Sequence, residues 1–177
     1  ILISSQNNEK FNFSFVVQPK VNFAWIELTN NCNLSCIHCY ENSSKSQRNF
    51  ISLDNLERAL NQLLLNQIEN IQFIGGEPLM CKKILKHIIK QYSNKFKSIE
   101  IFTNATLINE TDVVFFKKHN IKIAISQYSN LEKEHNKVTK NSKSFILLQK
   151  SIELLQKYSV KYRLCTINYF LIHLKIL

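Results

Sequence analysis

Several features that mark other classes of protein are missing from this sequence. No stretch approaches the run of about 20 apolar residues that a membrane-spanning helix needs. The opening Ile1-Leu2-Ile3 meets polar residues at once and has no basic region before it, so no secretory signal peptide is visible. The positive charges form no dense run, and no recognised nucleic-acid motif occurs. Neither a membrane protein nor a nucleic-acid-binding protein is therefore expected.

Acidic residues are in the minority. The chain has 13 Asp and Glu against 23 Lys and Arg, which gives a formal net charge of +10. The excess comes almost wholly from lysine, and Lys, Asn and Ile are all abundant, as an AT-rich coding sequence would produce. Attraction to an acidic partner, such as a precursor peptide or nucleic acid, is the alternative interpretation. The charge alone does not decide between the two.

Cysteine is sparse, with five in 177 residues, but three of the five are clustered. Cys32, Cys36 and Cys39 have the spacing C-x3-C-x2-C, which indicates a metal site rather than a disulfide framework. Iron–sulfur clusters usually take four cysteines. Because no fourth lies nearby, a cubane held here would leave one iron open to a small molecule. Clustered thiolates must stay reduced to bind iron, so we expect a cytoplasmic protein.

Structural zinc is the alternative for the three cysteines, with His38 as a fourth ligand. Zinc sites usually gather two ligand pairs, and no second pair follows in the sequence. His38 is also adjacent to Cys39, so both side chains would have to fold back onto one ion. Ligand chemistry and spacing therefore favour an iron–sulfur cluster.

Strand and helix patterns alternate about five times along the chain. Alternation of this kind indicates an α/β fold of parallel βα units with right-handed crossovers. A short strand at 11–15 precedes the main domain, and the polar segment 127–143 is predicted to be a loop. The hydrophobic periodicity predicts strands at 23–29, 71–74, 98–102, 121–125 and 160–167, and helices at 52–67, 82–94, 111–119 and 144–158.

Polar motifs follow four successive predicted strands. The cysteine loop comes after the first strand, Gly75-Gly76 after the second and Thr103-Asn104 after the third, and Ser126 ends the fourth. In a parallel barrel or half-barrel, the carboxyl ends of the strands share one rim, and active sites are built at that rim. We therefore expect these motifs to meet.

Gly75 and Gly76 are the only glycines in the chain, and Pro78 is one of only two prolines. Glycine permits positive φ and a close approach of the backbone to a ligand. A plain β-turn is the alternative interpretation of such a pair. From these residues alone, both interpretations stay open.

The run from Cys32 to Cys39 resembles the cluster-binding loop of the radical S-adenosylmethionine (radical SAM) superfamily, with His38 in place of the aromatic residue before the last cysteine. The resemblance implies that Cys32, Cys36 and Cys39 bind a [4Fe-4S] cluster and that S-adenosylmethionine chelates the fourth iron. It also implies an enzyme that cleaves S-adenosylmethionine reductively to a 5′-deoxyadenosyl radical, which abstracts hydrogen from a substrate. In such enzymes the cofactors carry the hard chemistry.

Gly75, Gly76, Glu77 and Pro78 resemble the superfamily's GGE motif, which contacts the methionyl amino group of S-adenosylmethionine. The resemblance implies that these four residues bind the cofactor. Glu77 is expected to shape the loop rather than to act as a general base.

Two further positions match the family in part. Thr103-Asn104-Ala105-Thr106 is similar to the family's Thr-Asn-Gly-Thr, which implies that Asn104 lines the cofactor pocket; a simple turn or cap role is the alternative. Ser126 matches a strand end where many relatives bind the cofactor's ribose or carboxylate. The Asp-Gly that commonly follows is replaced by Gln127-Tyr128.

The segment from His135 to Thr139, followed by Ser144-Phe145, is similar to the corresponding segment of SPASM-type peptide and protein maturases. The resemblance implies a peptide or protein substrate and an electron donor such as flavodoxin or ferredoxin. A radical SAM enzyme acting on a small molecule or RNA is one alternative. An inactive remnant, or a cluster-binding module without catalysis, is another.

We therefore expect a partial radical SAM barrel of parallel βα units. The family core has six such units, and this chain shows about five strands, so the barrel is expected to be truncated after the fifth. The expected organisation is an N-terminal extension or the end of an upstream segment at 1–20, an incomplete radical SAM core at 21–168 and an apolar tail at 169–177.

Overall fold

The computed structural model describes residues 2–3, 21–44, 46–47 and 49–167. The strand predicted at 11–15 and the tail predicted at 169–177 lie outside the described residues, so both stay predictions.

Six parallel strands form one sheet, and their order in space is their order along the chain. The first and last described strands do not pair with each other, so the described sheet is open. The predicted α/β fold with parallel strands is confirmed, and the five predicted core strands correspond to β2 to β6. The strands are β1 Leu2–Ile3, β2 Phe23–Glu27, β3 Asn70–Ile74, β4 Ser98–Thr103, β5 Lys122–Ser126 and β6 Tyr162–Cys165.

Helices connect the strands, and two of them begin with caps that the sequence encodes. The Ser52 hydroxyl accepts a hydrogen bond from the Asn55 N–H at 3.2 Å at the start of the first helix. Asn109 and Asp112 form a reciprocal capping box at the start of the third. The helices are α1 Leu53–Leu65, α2 Lys82–Tyr92, α3 Glu110–Lys118, α4 Glu132–Thr139 and α5 Ser144–Lys157, with a 3₁₀ helix at Pro78–Cys81 directly before α2.

Helix α4 corrects the prediction of a loop at 127–143. Only three of its residues are buried, His135, Val138 and Thr139, so its sequence has no apolar stripe from which a helix could be predicted. Tertiary contacts with α5 and with the cysteine loop support it instead. Glu132 and Glu134 lie in its first turn, where carboxylates favour the helix dipole.

The two faces of the sheet differ in chemistry. On one face, apolar side chains such as Ile26 and Phe73 are fully buried against the helices. On the other face, the Trp25 indole N–H donates to Gln72 at 2.7 Å, and Gln72 in turn contacts Glu100. Arg163 completes this polar row with hydrogen bonds of 2.9 and 2.8 Å to Glu100. Within the described parts of the chain, no helix is both long and apolar enough to cross a membrane.

Candidate metal centre

The cysteine loop and the glycine loop leave neighbouring strands side by side. The Leu28 N–H donates to the Ile74 carbonyl at 3.0 Å, which continues the β2–β3 pairing beyond the strand ends. The Gly76 N–H then donates to the Thr29 carbonyl at 2.6 Å, and the Glu77 N–H donates to the Asn31 carbonyl at 2.9 Å. The structure therefore places the glycine pair beside the residues that lead into Cys32.

Both glycines are required by this close backbone packing. A Cβ atom on Gly75 would overlap the carbonyl oxygen of Thr29, and one on Gly76 would overlap the carbonyl oxygen of Asn31. Gly75 also has φ of +147°, a conformation that residues with a side chain rarely adopt. The two glycines thus allow the glycine loop to pack closely on the backbone of Thr29 to Asn31. This packing fixes the path of the backbone just before Cys32.

The three clustered cysteines are free thiols that lie close enough to influence one another. Burial raises the pKa of Cys32 to about 11 and that of Cys36 to about 12, and neighbouring thiols of the cluster add to both shifts. Both shifts disfavour the thiolate forms of Cys32 and Cys36, so a metal that binds these thiolates would have to compensate for the cost.

Two of the three sulfur atoms have a backbone hydrogen-bond donor beside them. The Leu34 N–H lies 3.4 Å from the Cys32 sulfur, and the Ser43 N–H lies 3.3 Å from the Cys39 sulfur. Donors of this kind stabilise cluster-bound thiolates and are one determinant of a cluster's reduction potential.

Among the described residues, no three His, Cys, Asp or Glu side chains are placed to hold one metal ion. The zinc alternative therefore gains no support from the structure. The binding of a cluster by the three cysteines stays a prediction.

Glu77 is completely buried and joins two of the loops. Its carboxylate accepts hydrogen bonds from the Thr103 hydroxyl at 2.6 Å, the Leu79 N–H at 2.9 Å and the Asn104 N–H at 2.8 Å. Burial raises the pKa of this carboxyl, and these donors oppose the shift. Glu77 thus shapes the loop, as predicted, and the buried Pro78 follows it as the first residue of the 3₁₀ helix.

Asn104 connects the loop after β4 to the cysteine loop. Its side-chain amide donates to Asn33 at 2.9 Å and lies 3.9 Å from the Cys32 sulfur. The side-chain oxygen of Asn104, Oδ1, accepts a hydrogen bond from the Thr106 N–H at 3.0 Å. Ala105, which replaces the family's glycine, has φ of +61°, so the left-handed turn is kept despite the substitution. The cost of that conformation for alanine is about 1 kcal/mol.

Ser126 ends β5, two residues before a tyrosine that contacts the cysteine loop. The Tyr128 ring meets the edge of the His38 ring with 4.5 Å between centroids. No sequence motif marks Tyr128 as functional. The burial of His135, at 1 % exposure beside Tyr128, was hidden because its helix was predicted to be a loop.

The sequence profile of the Radical SAM superfamily matches residues 26–174, which is most of the chain. This protein is a radical SAM protein. The family prediction is confirmed, and with it the pair of cofactors that the family uses, a [4Fe-4S] cluster and S-adenosylmethionine. The residues that bind each cofactor in this chain stay a prediction.

The curated relatives include proteins of different functions. Uncharacterized protein MJ0907 of Methanocaldococcus jannaschii is 34% identical over 149 residues, covering 80% of this chain and 51% of that protein. The antilisterial bacteriocin subtilosin biosynthesis protein AlbA of Bacillus subtilis is 30% identical over 142 residues, covering 77% of this chain and 31% of AlbA. GTP 3′,8-cyclase of Clostridium botulinum is 30% identical over 143 residues, covering 76% of this chain and 44% of the cyclase. The chain thus spans about half, or less, of the length of these relatives.

Solved structures share the fold. SuiB of Streptococcus suis, bound to its precursor peptide SuiA, superposes with a TM-score of 0.69 at 21% identity, covering 81% of this chain and 32% of SuiB. The protein anSMEcpe, with bound AdoMet and a peptide, superposes with a TM-score of 0.64 at 21% identity, covering 80% of this chain and 42% of that chain. At these identities the likeness shows the fold alone.

Proposed function

We propose that Cys32, Cys36 and Cys39 hold a [4Fe-4S] cluster and that the adjoining loops bind S-adenosylmethionine at its open iron. The cofactors would supply the reductive cleavage of S-adenosylmethionine to a 5′-deoxyadenosyl radical that abstracts hydrogen from a substrate. The observation that supports this most is the meeting of three thiols, the glycine loop and Asn104 at one end of the sheet. These elements come from three different strands, so their proximity follows from the fold rather than from the sequence motif.

In this proposal, Gly75, Gly76, Glu77 and Pro78 present backbone atoms to the cofactor. The Glu77 carboxylate is already occupied by three donors inside the protein, so it holds the loop in place. Ser126 lies at the end of β5 and is proposed to contact the ribose or carboxylate of the cofactor.

Asn104 has a double role in this proposal. Its side-chain amide lies 3.9 Å from the Cys32 sulfur, so it would orient that ligand while it lines the pocket. A ligand that is held by hydrogen bonds from the surrounding shell loses less freedom when it binds the metal.

We further propose that the substrate is a ribosomally made peptide. The support is the relative AlbA, a subtilosin biosynthesis protein, together with the resemblance of the segment from His135 to Thr139 to peptide maturases. An electron donor such as flavodoxin or ferredoxin would reduce the cluster. A reducing cytoplasm would keep the thiols in the reduced form that binds iron. A small-molecule substrate is the second candidate, because GTP 3′,8-cyclase is related at the same identity as AlbA.

Anaerobic reconstitution with iron and sulfide tests the cluster. We expect about four irons per chain and a broad charge-transfer absorption in the visible. Cys36→Ala should lose both, because two thiolates cannot hold the cluster. Cys165→Ala is the matched control: it removes a free thiol outside the trio and should keep both. Undiminished iron in Cys36→Ala would refute the assignment.

Product analysis tests the reaction and its substrate. Dithionite and S-adenosylmethionine should give 5′-deoxyadenosine from the reconstituted chain, and an inactive remnant would give none. Addition of a candidate precursor peptide, compared with addition of GTP, separates the two substrate classes, since only the true substrate accelerates the release of 5′-deoxyadenosine and is itself altered in mass.

A further inference from the structure

We propose that the surface beside the cysteine loop, at the end of α4, is the docking site for an acidic one-electron carrier protein that reduces the cluster. This inference rests on the proposed function and deepens it, because it gives the electron donor a place on this chain. It stands on three features of the structure: the exposure of the cysteine loop, the hydrogen bond that joins the loop to α4, and the lysines gathered at the end of that helix.

The cysteine loop turns part of its length toward solvent. Ile37, which follows Cys36 directly, is 37 % exposed. Electron transfer between proteins slows steeply as the redox centres move apart, so a carrier has to dock close to the cluster. Ile37 is an exposed apolar residue that lies in the chain between two proposed cluster ligands, Cys36 and Cys39. Single exposed apolar residues are ordinary, so the surroundings of Ile37 decide its role.

Helix α4 ends against this part of the loop. The Ile37 N–H donates to the Val138 carbonyl at 3.0 Å, and Val138 is the last residue but one of α4. This bond satisfies one of the carbonyls that the end of a helix leaves without an intrahelical partner. The end of α4 is therefore fixed beside Ile37 by a contact between backbone groups.

The turn after α4 is folded back onto the helix. The Asn136 side chain donates to the Ser142 carbonyl at 2.9 Å and accepts a hydrogen bond from the Phe145 N–H at 3.0 Å. The Asn141 N–H donates to the Asn136 carbonyl at 3.2 Å. The segment 140–143 is thus held at the end of α4 that the cysteine loop contacts.

Lysines are gathered at this end of the helix. Lys137, Lys140 and Lys143 are all exposed, and no Asp or Glu lies among residues 135–152. None of the three forms an ion pair with an acidic residue in the part of the chain that the structure describes. The acidic residues of α4 lie in its first turn, at the far end of the helix. We call these three lysines, together with Ile37, the lysine face.

An acidic redox protein fits the chemistry of the lysine face. A group of exposed positive charges attracts an acidic partner from a distance and orients it as it arrives. A small apolar centre suits the small contact areas of electron-transfer complexes. The carrier would release one electron, which reduces the cluster from its 2+ to its 1+ state. A flavodoxin hydroquinone would become the semiquinone in this step, and no further reactant is needed.

The double variant Lys140→Glu/Lys143→Glu tests the docking site, because it reverses two charges of the lysine face and leaves the cysteines and glycines unaltered. Calorimetric titration of the reconstituted protein with an acidic flavodoxin should show an affinity weaker by roughly tenfold or more at about 0.05 M salt. The difference should shrink at about 0.5 M salt, where the charges are screened.

The matched control is Lys90→Glu/Lys118→Glu. It also reverses two exposed lysines, but these line a cavity at the amino end of β4, whereas the cysteine loop follows the carboxyl end of β2. Its affinity for flavodoxin should equal that of the unaltered chain at both salt concentrations.

The release of 5′-deoxyadenosine separates docking from catalysis. With limiting reduced flavodoxin as the donor, the rate in Lys140→Glu/Lys143→Glu should fall as the affinity falls. With dithionite, a small reductant that needs no docking site, the rate should match that of the unaltered chain. An equal loss with both donors would show that the lysines act on the fold or the cofactor site, and would overturn this inference.

Lys140→Gln/Lys143→Gln covers the case in which charge reversal prevents folding. It removes the two charges without reversing them, so the affinity for flavodoxin should fall by a smaller factor, roughly threefold. Unchanged affinity in a folded lysine variant would overturn this inference, as would an unaltered chain that binds no flavodoxin. Weaker binding of a precursor peptide but not of flavodoxin would assign the lysine face to the substrate instead. Each of these results leaves the proposed function standing, whereas failure of the unaltered chain to assemble any cluster would overturn both.

Discussion

The cysteine loop is supported from two sides, and the two supports are built differently. On the glycine side, backbone packs on backbone: Gly75 and Gly76 lie against Thr29 to Asn31 without room for a Cβ atom. Elsewhere the loop is held by Tyr128 and α4, a pair that we call the tyrosine clamp. The Tyr128 ring lies between the rings of His38 and His135, and the Ile37 N–H donates to the Val138 carbonyl of α4. The first support tolerates almost no substitution, whereas the second depends on contacts of larger side chains.

This difference predicts where substitutions harm folding and where they change chemistry. Changes on the glycine side should destabilise the whole end of the sheet, because two chain segments would have to separate. Changes in the tyrosine clamp should leave the fold nearly intact and alter the environment of Cys36. Three stability predictions, from the largest effect to the smallest, test this contrast.

Gly75→Ala should lower the free energy of unfolding by about 3 kcal/mol, because the new methyl group would overlap the Thr29 carbonyl oxygen and alanine would have to adopt a positive φ. Urea unfolding followed by circular dichroism measures the effect. Gly76→Ala is the comparison: its methyl group would overlap backbone atoms of both Asn30 and Asn31, although no positive φ is required there. We therefore expect a comparable loss. A Gly75→Ala chain as stable as the unaltered one would show that the loops are not packed as described.

Glu27, at the end of β2, makes the stability of the fold depend on pH. Burial, and then the nearby Glu41 carboxylate, raises the pKa of Glu27 to about 7. The folded state therefore holds a proton that the unfolded chain releases, so stability falls as pH rises from about 4.5 to about 7, by roughly 2 kcal/mol.

Glu27→Gln should remove that part of the pH dependence, which urea unfolding at about pH 5 and about pH 7.5 detects. Glu132→Gln, at an exposed position of α4, should keep it. The prediction would be wrong if both variants retained the slope of the unaltered chain.

Lys140 ends α4 in the left-handed conformation, with φ of +52°. Lys140→Gly should raise the free energy of unfolding by about 0.5–1 kcal/mol, since glycine adopts this conformation without strain. Lys137→Gly, at an exposed interior position of the same helix, should lower it by about 1 kcal/mol. Thermal melts of both variants check the pair, and equal effects would contradict the role of the helix end.

The contrast between the two supports also explains what could be predicted from the sequence. The importance of the glycine loop was predictable because only glycine fits there, and the chain has only two glycines, both in this loop. The parallel strands were predictable because their apolar runs are separated by helical patterns. The grouping of the three cysteines was visible from their spacing, and their role as cluster ligands stays a prediction.

The tyrosine clamp could not be predicted for physical reasons. Its members are ordinary residues whose role depends on which surfaces meet after folding. Helix α4 carries charges on most of its surface, so its three buried residues give no periodic signal. The contact of Tyr128 with His38 arises because the fold brings the end of β5 close to the cysteine loop. No local sequence pattern encodes that proximity.

The buried carboxylate of Glu77 joins the loop after β3 to the loop after β4. Any displacement of the loop after β4 relative to the loop after β3 must break hydrogen bonds from Thr103 and Asn104 to a group that water does not reach. A rearrangement at this end of the sheet would therefore have to carry the two loops together rather than part them.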